Sequence, residues 1–427
     1  GAGIEDRASA AARAERENLI AAGQRPYLDD LLDLPLAEEQ RRLYEAMDNA
    51  DRNRGKAATL AILVAGLATE TPLLLRIEDI HWADRLLPPQ LAELARQVAS
   101  CRALLVLTSR IQGDPLDEAW RGGLAGAPFT TIDLGPLNAD EANDLVTGFG
   151  GVDDVLVRAC IERSGGNPLF LEQLLHGAES AVDGAIPGSI QSVVQARIDG
   201  LAATDRAALQ AAAVLGQRFA LPPLRRLIDD DSYTPDGLLH NALIRPAGDD
   251  FLFAHALIRD AVHDAFLTGR RRELHLRAAD WYRERDAVLF AEHLAGADDE
   301  RAPGAFLEAS RREVEASRLD RALGLVERGR DLARSSAERH DLTAQQAALL
   351  QDLGRPAEAL VAWREALELT DEPLPRCRAW IGIAAADRLM GAGEQGLGVL
   401  DEADTVARDN GFEREMGEVA YYRGAAA

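Results

Sequence analysis

The stretch LLLRIEDIHWAD, Leu73 to Asp84, decides the reading of the fold. A run of branched apolar residues, too short for a typical helix, ends in two adjacent carboxylates, Glu78 and Asp79. A second short run, Ala103–Thr108, ends in Thr108-Ser109-Arg110, and a stretch with helical spacing, Leu86–Ala99, lies between the two. Strand, helix and strand in this order predict a parallel βαβ unit, because strands buried on both faces read as continuous apolar runs. A third run, Thr130–Leu134, is expected to add a further strand. Function in such sheets gathers at the carboxyl ends of the strands, so Glu78, Asp79 and Arg110 are expected to emerge at one edge. The chemistry that suits them is phosphoryl transfer: one carboxylate orients Mg²⁺, the other polarises water, and a Thr or Arg of the neighbouring strand senses the γ-phosphate. The competing reading is a pair of solvated carboxylates capping the next helix.

Composition narrows the choice. The 427 residues suggest several domains, and an apolar content of 47% is enough to give each a core. A net charge of −24 makes a surface that repels phosphate backbones and anionic lipid, so no nucleic-acid or membrane partner is expected. Cys101, Cys160 and Cys377 stand far apart, outside any CxxC or Cys/His cluster, and a reducing cytoplasmic location is expected. The longest apolar run, Ala57–Ala68, falls short of the roughly 18 to 20 residues that cross a bilayer. The opening GAGIEDRASAAARAER lacks a signal-peptide pattern and a methionine, which suggests a fragment of a longer protein. From Ile4 to Ala68 the spacing is helical, with a break expected at Pro26.

Five motifs in order carry a resemblance to a known family: IEDIHWAD from Ile77, LLVLTSR from Leu104, SGGNPLFLEQLL from Ser164, IPGSIQSVVQARIDGLAATDRAALQAAAVLG from Ile186, and FLFAHALIRDAVHDAF from Phe251. Together they resemble the bacterial signal-transduction ATPases with numerous domains, the STAND class, as found in class III adenylate/guanylate cyclases and large LuxR-type regulators. The resemblance runs from about Pro26 to Leu294, with weaker similarity beyond. It implies a multidomain α/β plus α chain in four parts. These are a partial parallel-sheet P-loop-NTPase-like core over 1–136, a helical lid over 137–184, a winged helix over 185–268 and a tetratricopeptide-like helical solenoid over 269–427.

The resemblance also implies roles. Glu78 and Asp79 take the Walker B positions that hold Mg²⁺, with Glu78 standing where many relatives have Asp, and Arg110 resembles the sensor arginine. Gly166, Asn167 and Pro168 match the lid motif whose proline packs on adenine, although a Gly-Asn-Pro also serves as an ordinary interhelical turn. His255 resembles the winged-helix histidine that touches the diphosphate; otherwise it is a packed histidine on an apolar helix face. His81 and Trp82 are accounted for by packing and helix entry. ATP or ADP with Mg²⁺ is the implied cofactor of the whole protein.

One element of that site is missing. The family's phosphate loop is GxxxxGK[ST], whose backbone N–H groups and lysine neutralise the phosphates. Lys56 is the only lysine, and its context ADRNRGKAA has Ala50 and Ala57 where the loop needs Gly and a hydroxyl. The P-loop and its strand are therefore outside these 427 residues, cut away or lost, and the chain by itself is expected neither to bind ATP tightly nor to hydrolyse it.

Toward the end the chain repeats. Ala359, Trp363 and Ala366 in GRPAEALVAWREALEL fit the small-large-small pattern of the second helix of a tetratricopeptide unit. A shift of 37 residues reaches Ala322, Val326 and Gly329 in one direction and Gly396, Leu400 and Ala403 in the other. A plain helical bundle is the alternative. Residues from about Ala305 onward are expected to stack as antiparallel helix pairs that bind a protein partner or signal ligand, with further repeats beyond Tyr421 and Tyr422. Two functions follow: an ATP-driven switch acting on an attached output domain, or a nucleotide-free adaptor that binds partners through its repeats.

Overall fold

The computed structural model describes residues 4–83, 87–110, 114–124, 126–147, 154–180, 195, 198–265 and 267–426, which fall into two compact units, Gly1–Ile132 and Asp133–Ala427. Of the quoted motifs, residues 84, 186–194, 196, 197 and 266 lie outside the described residues.

The first unit begins with helices α1 (Ile4–Arg16), α2 (Arg25–Leu31), α3 (Glu38–Glu45) and α4 (Asn49–Glu70). Pro26 does not break a helix; it sits in the first turn of α2, where its missing N–H costs nothing. Asp48 caps α4 by accepting the Asp51 N–H at 2.6 Å, and α4 absorbs the whole apolar run 57–68. Strand β1 (Leu73–Ile77), helix α5 (Leu87–Val98) and strand β2 (Ala103–Leu107) form the expected βαβ unit, followed by α6 (Glu118–Gly122). The strands pair in parallel, Leu73 opposite Ala103 and Ile77 opposite Leu107.

Alternation along the strands turns Leu73, Leu75, Ile77, Ala103 and Leu105 onto Val64 of α4 and onto Leu94 and Val98 of α5. The opposite face presents Leu74 and Leu104, directly across from each other and 67% and 60% exposed. A parallel sheet is ordinarily covered on both faces. Among the described residues this one is covered on one.

The third run, 130–134, is not a strand. Its backbone pairs with no ladder, and Ile132 and Leu134 stand 76% and 93% exposed. Thr-Thr-Ile-Asp-Leu alternates polar with apolar, so it lacks the two apolar faces of an interior parallel strand, and here it meets no edge that would satisfy its backbone.

The second unit opens with α7 (Ala139–Thr147), α8 (Asp154–Ser164) and α9 (Pro168–Ser180), packed around Ala142, Cys160, Leu171, Leu174 and Leu175. There follow α10 (Ala203–Leu215), β3 (Arg218–Phe219), α11 (Leu221–Ile228), α12 (Asp236–His240), β4 (Ile244–Ala247), β5 (Asp250–Phe253) and α13 (Ala256–Ala265). The strands form an antiparallel sheet in the order β3-β5-β4. Leu209, Leu224, Leu227, Leu238, Phe253 and Ile258 fill the core between sheet and helices.

The remainder is helical: α14 (Thr268–Tyr282), α15 (Ala287–Gly296), α16 (Ala302–Glu315), α17 (Leu319–Leu332), α18 (Ser336–Asp352), α19 (Pro356–Glu368), α20 (Pro373–Leu389), α21 (Gly393–Asn410) and α22 (Glu413–Ala426). Each packs on the next, and α16, α18, α20 and α22 also pack on one another in succession. The 37-residue shift therefore lands on every second helix, and Ala322, Val326 and Gly329 of α17, Ala359, Trp363 and Ala366 of α19, and Gly396, Leu400 and Ala403 of α21 are all buried. Ion pairs tie helices two apart: Arg328 to Glu292, Arg330 to Glu365 at 3.0 Å, and Arg378 to Glu415 at 2.8 Å. The array is not uniformly open, for Ala379 to Asp387 of α20 form an unbroken buried run that leaves those turns without a solvent face.

Candidate functional site

The parallel register puts the carboxyl ends of β1 and β2 side by side, and the backbone that leaves them is interlocked. Thr108 N–H donates to the Ile77 carbonyl at 3.0 Å, and the Ile80 N–H donates to the Thr108 carbonyl at 3.0 Å. Asp79 takes a left-handed conformation, φ 56° and ψ 39°, which Asp tolerates better than most residues. That turn directs its N–H to the Thr108 hydroxyl at 3.0 Å. His81 closes the group: its Nδ1 accepts the Arg110 N–H at 3.4 Å. Glu78, Asp79, Thr108, Ser109 and Arg110 are all exposed, so the structure brings the expected residues of this unit to one sheet edge with their side chains open to solvent.

One neighbour of Glu78 was not anticipated. Arg76 approaches the Glu78 carboxylate at 3.4 Å, Nε to Oε1, with both side chains more than half exposed. The signal was present in the sequence, since residues two apart on a strand share a face.

Lys56 is remote from phosphate chemistry in its surroundings. It lies within α4, with Nζ 3.1 Å from Asp30 Oδ2, and the same carboxylate oxygen accepts the Tyr44 hydroxyl at 2.8 Å. Burial and then Asp30 raise the Tyr44 hydroxyl well above its ordinary value, so it stays a donor. Gly55 is required for packing: a Cβ there would overlap the Tyr27 ring. The Gly-Lys pair is thus part of a helix-helix contact.

In the second unit, Gly166, Asn167 and Pro168 form the entry to α9. Gly165 and Gly166 both have positive φ, +58° and +80°. At Gly166 a Cβ would come within 2.7 Å of the Leu137 carbonyl oxygen and 2.8 Å of Pro136 Cβ, and the Gly166 carbonyl accepts the Leu137 N–H at 2.8 Å. Asn167 Oδ1 accepts the Phe170 N–H at 3.0 Å, an N-cap placed directly before a proline at the first helical position. These bonds account for Gly and Asn as helix-start residues. Pro168 remains exposed, its ring free of the core.

His255 stands just before α13, not on a helix face: its carbonyl accepts the Ile258 N–H at 3.0 Å, and its side chain is partly exposed. Its Nε2 lies 3.6 Å from Glu172 Oε2. Glu172 is on α9, four residues after Pro168, so the two motifs chosen in this unit are joined by an ion pair when His255 is protonated. Glu172 lies inside the quoted SGGNPLFLEQLL, but within its apolar run, and neither its spacing nor the resemblance gives it a role.

Among the described residues, no group of three or more His, Cys, Asp or Glu side chains converges as a metal site would require. None of the described helices is long and apolar enough to cross a membrane.

No protein-family model matches this chain. It is 28% identical over 369 residues to an uncharacterized protein of Rhizobium meliloti (strain 1021), a similarity covering 77% of this chain and 34% of the relative. The chain thus spans about a third of the length of the curated relative it matches. Among solved structures it is similar to a Signal Transduction ATPase with Numerous Domains protein with a tetratricopeptide repeat sensor from Pyrococcus horikoshii. That similarity has 14% identity and a TM-score of 0.45, over 94% of this chain and 72% of the other.

Proposed function

We propose that this chain is the switch and sensor portion of a STAND-class signal-transduction ATPase whose helical array binds a protein partner. The observation that carries the reading is the pairing of Glu78-Asp79 with Thr108-Ser109-Arg110 at adjacent carboxyl ends of parallel strands. That is where Mg²⁺ and a γ-phosphate are handled in phosphoryl-transfer sheets. The bare face carrying Leu74 and Leu104 supports it, because a two-stranded parallel sheet covered on one side is what part of a larger sheet looks like.

In this reading Glu78 and Asp79 hold and polarise Mg²⁺ and its water, and Arg110 offsets developing phosphate charge. Pro168 supplies an apolar ring to adenine, with Gly166 and Asn167 fixing the turn that presents it, and His255 meets the diphosphate. ATP or ADP with Mg²⁺ is the cofactor, and a P-loop from outside these residues completes the cradle. The output is an attached domain, with a cyclase or a transcription regulator as the proposed kinds. Action in the cytoplasm fits the free thiols.

A second reading, a nucleotide-free adaptor, is favoured by Lys56. The one lysine of the chain is held by Asp30 within a helix packed on its neighbours. Calorimetric titration with Mg-ATP separates the two when made on the 427-residue chain and on the full product of its reading frame. The switch reading expects no low-micromolar binding by the chain and such binding by the full product. Failure of both to bind replaces the switch with the adaptor.

A further inference from the structure

Helix α14 serves two cores at once. Leu274 and Ala278 enter the core of the α10–α13 module, and Arg277 donates to the Leu227 carbonyl at 2.7 Å and pairs with Asp229 of the same module. From its other side Ala279 joins Ala291 and Leu294 of α15 and Ala302, Phe306 and Ala309 of α16. The α14–α15 contact is therefore the joint between the module and the helical array.

Two buried histidines meet in that joint. His275 of α14 is 9% exposed and His293 of α15 is 5% exposed, with their Nδ1 atoms 3.2 Å apart. The Tyr282 ring stacks on His293 at 5.4 Å between centroids, and His263 of α13 meets His275 edge-on at 6.1 Å. A Cβ at Gly296 would overlap the His275 ring, so that ring is trapped against the backbone of α15. His293 Nε2 is buried without a hydrogen-bond partner. Two nitrogens are too few for a structural metal site, which takes about four ligands. A proton is the species this geometry holds.

We infer that the His275–His293 contact is a proton-operated latch: one proton shared between the two Nδ1 atoms closes α14 on α15, and entry of a second opens the joint. With a single shared proton one ring donates and the other accepts. With two, both Nδ1 nitrogens become donors facing each other, and the ring that took up the second proton is a cation in an apolar core; where that ring is His293, its buried Nε2–H has no acceptor. The surroundings do little to compensate. Arg271 of α14 and His263 of α13 add positive charge near His275. Carboxylates of Asp286, which caps α15, and Asp250 on β5 act on the Tyr282 hydroxyl. From α16 come alanines and Phe306.

The sign follows from burial. Both rings are held below the ordinary 6.5, His275 to about 3, by burial first and then by His293, His263 and Arg271, and His293 to about 4 by burial. The closed joint thus binds protons weakly and the open joint binds them normally. Its stability is full above pH 6.5 and falls as pH drops from there toward 4. Between pH 7 and 5 each histidine should raise the opening constant by roughly twentyfold. The latch stands on these contacts alone and does not depend on nucleotide chemistry.

The test is hydrogen exchange of the full 427-residue chain between pH 7.5 and 5, corrected for intrinsic rates, with His293→Asn and His275→Asn beside it. Asn keeps an uncharged polar group near the Nδ1 position and takes up no proton. In the parent chain, peptides covering 268–296 should lose protection as pH falls while peptides covering 373–410 do not, and each variant should show about half the logarithmic response. Equal pH dependence in both regions, or an unchanged slope in both variants, overturns the latch. If neither variant folds, ¹⁵N resonances of the histidine rings in the parent chain decide it. Neutral rings for His275 and His293 at pH 5.5, in the closed population, support the latch, and two charged rings there overturn it.

Discussion

The indole of Trp363 on α19 lies against the backbone of Gly382 on α20, so near that a Cβ at position 382 would overlap the ring. Its Nε1–H donates to Gln351 Oε1 at 2.7 Å, and the Gln351 amide donates to the Gly382 carbonyl at 3.3 Å. Three successive helices, α18, α19 and α20, are thus closed by one large ring, one missing side chain and one amide. The same economy of space recurs at Gly329, where a Cβ would meet Leu342 at 2.8 Å, and at Gly396, where it would meet the Ala384 backbone at 3.1 Å.

Gly382→Ala is expected to destabilise the chain by about 1–3 kcal/mol, because overpacking at a buried ring outweighs the ~1 kcal/mol that Ala contributes to helix propensity. Trp363→Ala, which empties the same contact, should cost about 3–5 kcal/mol. Urea unfolding gives both, read from midpoints at constant slope. A stabilised Gly382→Ala protein would show that the two helices can separate without loss.

Gly165 and Gly166 look alike in sequence and should behave differently. Both have positive φ, so Ala is strained at either, at about 1 kcal/mol or more. At Gly165 the added Cβ meets open space, whereas at Gly166 it strikes the Leu137 carbonyl and Pro136. Gly166→Ala should therefore lower the melting temperature clearly more than Gly165→Ala and should expose α9 to proteolysis. Equal effects would reduce Gly166 to a turn residue.

What was legible in the sequence was set by periodicity and by strand ends. The βαβ unit could be read because LLLRI and ALLVL are short, apolar and separated by one helical stretch, and the 37-residue shift because Ala359, Trp363 and Ala366 mark a buried face. The run TTIDL departs from the expected strand because two apolar residues at alternate positions do not say whether a pairing edge is available. Pro26 was misplaced because proline starts helices as readily as it ends them. The contacts of His275 with His293, and of His255 with Glu172, join residues 18 and 83 positions apart. No local pattern encodes such meetings; packing of separate elements does.

The three cysteines should separate cleanly by reactivity. Cys377 is buried with its Sγ–H directed to the Ala403 carbonyl at 3.4 Å, and burial, then Glu415 and Glu418, pushes its thiol up to about 11. Burial also raises Cys160, while Cys101 is partly exposed. At pH 8 an aromatic disulfide reagent should label one thiol per native chain quickly and the other two at the rate of unfolding, since the thiolate is the attacking form. Fast labelling of Cys377 would mean that α20 and α21 part readily.

The carboxylates at the end of β1 can be tested apart from packing. Both are exposed, and the Arg76–Glu78 pair is a surface contact of the kind that contributes ~1 kcal/mol or less. Glu78→Gln and Asp79→Asn should accordingly leave the melting temperature of the chain within about 3 °C of the parent. Asn is the informative replacement at 79, because it tolerates the left-handed backbone there, whereas Ala would add about 1 kcal/mol of strain and confuse chemistry with folding. In a product of the reading frame that carries a P-loop, the proposed role predicts that the same two substitutions slow ATP hydrolysis at least tenfold while nucleotide binding persists, since on that proposal the groups removed act on Mg²⁺ and water. On the same proposal Arg110→Ala slows it as well, through loss of charge beside the γ-phosphate. Turnover unchanged in all three variants, with the fold intact, would leave Glu78 and Asp79 as solvated residues of the β1 turn and return the function to the helical array.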